Sequence, residues 1–177
     1  EHIGSMFKDY NLDQVNKIQV VKQADVVMLL YLLEHKFSKE VKKANYDYYE
    51  KRTLHDSSLS LSTHSILASD IDEKDLAYKL FQEATKIDLG ENMKTSDHGI
   101  HAASLGGLWQ IVVNGFGGVR MVGGNLRINP KLPENWSRLS FSFMWKGNKL
   151  DIELTKEGIK IEVKDEMLEE IEILVYD

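Results

Sequence analysis

The chain has 177 residues, 42% of them hydrophobic and 28% charged, enough to bury a core as one domain or as one domain with a small appendage. Its net charge of -6 argues against a nucleic-acid or anionic-membrane partner, since both select for clustered lysine and arginine. It contains no cysteine, which excludes disulfides, thiolate-bound zinc and thiol catalysis, and no stretch approaches the roughly 20 apolar residues of a membrane span, so a cytoplasmic location is the default expectation.

Glu1-His2-Ile3-Gly4-Ser5-Met6 has neither the charged nor the apolar region of a signal peptide and reads as a cloning remnant before a start at Met6 or Phe7. From Lys17 to Phe116 the apolar period is helical. Val20, Val21, Ala24, Val27, Met28 and Tyr31 fall at steps of three and four. Leu29, Leu30, Leu32 and Leu33 widen that stripe until the predicted helix is apolar nearly all round, and so buried. A second helix is predicted from Ser38 or Lys39 to Tyr49, with Val41, Ala44, Tyr48 and Tyr49 inward, and a third from Leu59 to Asp70. Glu73 to Ile87 is the most regular. Leu76, Ala77, Leu80, Phe81, Ala84 and Ile87 form one face, charged residues form the other, and Asp72 is placed to act as N-cap.

A polar loop at 90–98 leads to a fifth helix from Ile100 to Phe116. Its Gly106-Gly107 pair costs about 1 kcal/mol per glycine in helix propensity, and close approach of another backbone is the usual reason. Gly115, Gly117, Gly118, Gly123 and Gly124 then mark the end of helix. Beyond them the period becomes two: Leu139, Phe141, Phe143 and Trp145 alternate with polar or flexible residues, and Gly147-Asn148 signals a hairpin into Leu150, Ile152 and Leu154. Ile159, Ile161 and Val163, then Ile171, Ile173 and Val175, repeat the pattern. The C-terminal third reads as an antiparallel sheet with one buried and one charged face.

Three polar signatures stand beside these apolar helices: Lys22-Gln23-Ala24-Asp25-Val26, TLHDSSLS at 53–60 and GIHAAS at 99–104. Polar side chains beside packed helices are costly unless hydrogen-bonded, so such a grouping suggests that several helix ends converge on one polar ligand.

In chain order, KQADV (22–26), YYE (48–50), HDSSLS (55–60), Ala77-Tyr78, GIHAAS (99–104), Trp109, NGFGG (114–118) and NPKLPENW (129–136) resemble family 65 of the glycoside hydrolases, the inverting disaccharide phosphorylases. The resemblance implies an α+β fold: a partial (α/α)6 toroid of about five helices at 7–118, followed by a small antiparallel β-sandwich domain at 119–177. It further implies that Lys22 and Gln23 hydrogen-bond hydroxyls of the glycosyl unit, and that Ser57, Ser58 and His101 bind inorganic phosphate, the co-substrate. No cofactor or metal is implied. The general-acid glutamate of the family lies upstream of the matched part, so no catalytic residue is expected here, the upstream half of the barrel is an expected partner, and the isolated chain is expected to be inactive.

The residue types suit that chemistry. Phosphate itself attacks the anomeric carbon, so the protein must orient it rather than activate a water with a carboxylate. Hydroxyls, helix N-terminal amides and an imidazole do this without the strong ion pairing that would blunt the nucleophile.

Plainer readings exist for each residue. Ser57-Ser58 reads as an N-cap for the helix beginning near Leu59, His101 as a satisfied core histidine one turn into its helix, His98 as a loop residue, and Lys22 as a solvated lysine. His55 and His64 are assigned to neither class, and no tight HxH or HExxH spacing supports a histidine metal site. The glycines from 115 to 124 close a helix rather than open one after a strand, which argues against a dinucleotide site. Trp109, Trp136 and Trp145 have the chemistry to stack on sugars, although the strand alternation puts Trp145 in the core. Two other functions fit the sequence: a family 65 hydrolase using water, and a non-catalytic sugar-binding or assembly module. Helices left without barrel neighbours would also expose apolar surface, from which self-association is expected.

Overall fold

The computed structural model describes residues 10–15, 17–55, 57–90, 99–164 and 169–176. The segment expected to be a remnant (1–6), Asp56 of the serine signature, and the polar loop apart from Gly90, with its His98, lie outside them. The fold is α+β: helices come first and a small two-sheet sandwich follows. No helix among the described residues is long and apolar enough to cross a membrane.

After the short α1 (Leu12–Val15), Val21 forms an isolated parallel bridge with Thr53: its amide donates to the Arg52 carbonyl (2.9 Å) and its carbonyl accepts from the Leu54 amide (3.2 Å). That pairing holds the chain extended, so α2 starts only at Asp25 and ends at Leu32. The expectation that this helix is buried all round is corrected: Val27 and Leu30 are buried, while Met28, Leu29, Leu32 and Leu33 are exposed. No other described element covers that face.

A 3-10 turn (Glu34–Lys36) leads to α3 (Lys39–Glu50), where Ser38 acts as N-cap and accepts from the Val41 amide at 3.4 Å. The inward face of α3 differs from expectation. Val41, Ala44 and Tyr48 point outward, whereas Lys42 and Tyr46 are buried. Lys42 takes an interior place because its ammonium lies 3.9 Å from both Glu34 and Asp70, and Tyr46 packs on the His64 ring.

α4 (Ser60–Asp70) is the centre of the helical core, buried from Ser60 to Ser69. A tight turn reverses the chain into α5 (Lys74–Leu89), whose expected apolar face is found, with Ala77, Leu80, Ala84 and Ile87 buried. Asp72 is not its N-cap. Its φ of 64° belongs to the turn, and its carboxylate instead pairs with Lys39 and Lys131. The fifth expected helix is α6 (Ala102–Gln110) continued by a wider π turn (Ile111–Phe116).

The hairpin of β1 (Val119–Val122) and β2 (Asn125–Ile128) begins the β part, followed by β3 (Arg138–Trp145), β4 (Asn148–Thr155), β5 (Ile159–Val163) and β6 (Ile173–Val175). The strands form two three-stranded sheets, β1-β2-β6 and β3-β4-β5. One correction concerns the last strand. It runs parallel to β2, with Leu126 against Ile173, instead of extending an antiparallel sheet. Val119, Leu126, Ile128, Leu150, Ile152 and Leu154 fill the sandwich together with Val113 from the π turn.

Two contacts tie the helices to the sandwich. Trp136 packs edge-on to Phe116, Phe81 and Tyr78. Below them Arg120 of β1 donates to Asp70 (2.9 Å) and lies 3.5 Å from Glu34, which also meets Arg127 of β2 at 2.9 Å.

Candidate functional site

Which signatures share an end of the helical layer follows from helix direction. Gly107 of α6 lies against Ser62, near the start of α4, and Gly115 farther along lies against Ile66, so α4 and the α6 segment run the same way. α5 runs back in the opposite direction and delivers Asp88, in its last turn, to His101 at the start of α6. The Val21–Thr53 bridge sets the approach to α2 beside the approach to α4. The starts of α2, α4 and α6 and the ends of α3 and α5 therefore share one end of the layer, with the Glu34–Asp70–Arg120 cluster at the other. Helix N-termini carry unpaired amides and the positive pole of the dipole, the features that favour an anion.

The sequence-predicted residues take these positions. Lys22 and Gln23 are exposed, in the extended approach to α2, and Gln23 lines a recess of about 100 Å³ with Val21, Asp25, Tyr49 and Thr53. Ser57 and Ser58 are half-buried in the turn before α4. The N-cap expected of them is shifted: the helix starts at Ser60 after Leu59, and Ser57 Oγ accepts from the Leu59 amide at 3.4 Å, closing a turn ahead of the helix. Ser58 makes no side-chain hydrogen bond among the described residues. His101 is not a core histidine one turn into its helix; it is the residue before α6, with its side chain 39% exposed. Its Nδ1 donates to Asp88 Oδ1 at 2.7 Å, and its amide donates to the same carboxylate at 3.1 and 3.3 Å. Trp109 is half exposed on α6 and Trp136 belongs to the aromatic cluster under the sandwich.

Sequence reasoning missed a second group at this end. Glu50, the last residue of α3, holds the His64 ring through Nδ1 and faces His55 Nε2 at 3.4 Å. His64 is fully buried, its Nε2 lying 3.4 Å from Thr53 Oγ1. His55 Nδ1 bonds Ser60 Oγ at 3.1 Å, and Ser60 Oγ donates to the Ser57 carbonyl at 3.2 Å. Glu50 is thus linked through His55 and Ser60 to the backbone of the serine turn. Burial raises the Glu50 carboxyl, but hydrogen bonds from His55 and His64, with the charge of those rings, more than offset it and hold it down at about 2. Burial, with the Glu50 charge beside it, pushes the Tyr46 phenol up.

One ligand atom from each of Glu50, His55 and His64 lies within 4.8 Å of the others, a spacing compatible with a cation. His64 Nδ1 bonds the Glu50 carboxylate and His55 Nε2 lies 3.4 Å from it, contacts within the trio that account for the grouping. The available signals were Glu50 in the YYE signature and two histidines flanking the serines. Asp88 gave no signal, since an acid in a helix's last turn carries no motif.

Residues 1–110 match the model described as glycosyl hydrolase family 65 central catalytic domain, and residues 119–177 match the family 65 C-terminal domain. A kojibiose phosphorylase of Halothermothrix orenii is 47% identical over 176 residues, covering 98% of this chain and 23% of that protein. An alpha,alpha-trehalose phosphorylase of Thermoanaerobacter brockii is 44% identical over 163 residues, covering 92% of this chain and 21% of that protein. A solved human-microbiome protein, titled as a candidate kojibiose phosphorylase, superposes with a TM-score of 0.89 at 34% identity, over 98% of this chain and 25% of that one. The chain spans about a quarter of the length of the relatives it matches.

Proposed function

Because this chain belongs to glycosyl hydrolase family 65, joining its central catalytic domain to its C-terminal domain, we propose that it supplies the phosphate site and part of the glycosyl site of an inverting α-glucoside phosphorylase. In this reading the enzyme cleaves a glucosyl disaccharide with inorganic phosphate to give a hexose 1-phosphate. A phosphate oxygen forms the new bond to the anomeric carbon as the glycosidic bond breaks on the opposite face, and a general acid from outside this chain gives its proton to the leaving oxygen.

The roles follow from position. Phosphate sits over the start of α4, receiving hydrogen bonds from Ser57, Ser58 and His101 Nε2. Lys22 and Gln23 bind hydroxyls of the glucosyl unit. The observation that carries this reading is the common end shared by the starts of α2, α4 and α6, each bearing one of the polar signatures. The division at 118/119 between barrel and sandwich is part of it, as is a cytoplasmic location. So is a seat for the preceding barrel helices on the exposed Met28, Leu29, Leu32 and Leu33 of the α2 region.

Two assays test the proposal. The purified 177-residue chain should release no hexose 1-phosphate from kojibiose, maltose, nigerose or trehalose. A chimera in which this chain replaces the matching segment of the Halothermothrix orenii enzyme should release it only when phosphate is added. Cleavage by the chimera without phosphate would instead favour a hydrolase using water. A chimera that binds sugar but never cleaves it, under conditions where the parent enzyme does, would favour a binding or assembly module.

A further inference from the structure

We propose that Asp88 is a positioning residue for His101, fixing the ring so that Nε2 is the nitrogen offered to phosphate; this rests on the phosphate-site reading above. An acidic side chain in the last turn of a helix faces the negative pole of the dipole, a locally unfavourable placement that other contacts must offset. Among the described residues, the offsetting contacts all come from one residue. Asp88, its side chain only 14% exposed, takes the His101 ring at 2.7 Å and the His101 backbone amide at 3.1 and 3.3 Å.

The bidentate hold has two consequences. An ionised carboxylate only accepts hydrogen bonds, so the proton facing it must be on Nδ1, whatever the state of Nε2. Fixing the backbone of the same residue sets the direction from which the ring leaves α6, so ring plane and tautomer are determined together. Nε2 then belongs to a side chain 39% exposed at the helix-start end, whereas Nδ1 is withdrawn from any ligand. When both ring nitrogens carry protons, Nε2–H is a charge-assisted donor to a phosphate oxygen. This resembles the outer partners that orient ligating histidines elsewhere, applied to an anion rather than a metal.

The test compares native chain, Asp88→Asn and Asp88→Glu, with His101 observed by nitrogen-15 NMR in the 177-residue chain and phosphate KM measured in the chimera. Native His101 should show a protonated Nδ1, and Asp88→Asn should shift the ring toward the other tautomer. The same change should raise the phosphate KM on the order of tenfold while moving the disaccharide KM by less than about twofold, and Asp88→Glu should recover part of the loss. Circular dichroism matching the native chain separates this from unfolding. Unchanged His101 signals and phosphate KM in Asp88→Asn would overturn the positioning role. If instead the tautomer shifts but the phosphate KM does not, even in His101→Gln, then the phosphate-site reading itself fails while the Asp88–His101 pairing remains.

Discussion

Gly107 of α6 packs directly on Ser62 of α4: a Cβ at Gly107 would lie 2.7 Å from Ser62 Oγ and 2.8 Å from Ser62 Cβ. Its neighbour Gly106 has nothing within 4 Å of the same position. Gly107→Ala should therefore force the two helices apart and cost about 1–3 kcal/mol. Gly106→Ala should stabilise α6 by about 0.5–1 kcal/mol, since alanine is the better helix former at an open site. Chemical denaturation of both variants checks the contrast, and equal effects would contradict it.

Arg120 joins Asp70 and Glu34 where the helices meet the sandwich, with only 6% of its side chain exposed. Arg120→Met should leave both carboxylates short of a partner and cost about 3–5 kcal/mol. The loss should appear as a lower denaturation midpoint. A loss below about 1 kcal/mol would mean that Lys42 and Arg127 compensate.

The Glu50 carboxyl is held at about 2 in the folded chain against an ordinary 4.5. Because the folded value is depressed, its ionisation stabilises the fold at pH above 4.5, and that contribution is lost as pH falls from 4.5 toward 2. The shift corresponds to about 3 kcal/mol at full effect. Glu50→Gln should be clearly less stable than native at pH 6, with the gap closing near pH 2 to 3. A gap independent of pH would assign the loss to packing alone.

Met28, Leu29, Leu32 and Leu33 leave a run of apolar surface along α2 and the residue after it, and Leu105 and Trp109 add to the exposed apolar area on α6. Patches beyond a few hundred Å² tend to find partners, so the 177-residue chain should self-associate as its concentration rises. Light scattering should show this, and Leu29→Glu with Leu32→Glu should reduce it. A clean monomer throughout would count against the expectation.

These features differ in how far the sequence disclosed them. The inner face of α5 was legible because its apolar and charged residues separate cleanly at helical spacing. On α3 the same rule failed. Lys42 enters the interior only because Glu34 and Asp70, distant in sequence, meet it there, whereas Val41 is displaced outward. The polarity of α2 was hidden for a similar reason, since an all-apolar helix does not say which side its own chain will cover. The β1–β2 hairpin had its signal in Gly123-Gly124, which take φ of 59° and 84°, but strands of four residues are too short for alternation to stand out.

Among the candidate site residues, Lys22, Gln23, Ser57, Ser58 and His101 were legible as motif members. The partners that hold some of them were not. Asp88 and Glu50 act through contacts made only after helix ends from separate parts of the chain come together.

The phosphate KM of the chimera carrying this chain, compared with its Ser57→Ala/Ser58→Ala and His101→Gln variants, tests the central claim most directly. Each set of changes should raise the phosphate KM by at least about tenfold while the disaccharide KM stays within about threefold, because in the proposed assignment these side chains bond phosphate and not the disaccharide. An unchanged phosphate KM in both would contradict the assignment of the anion site to the starts of α4 and α6.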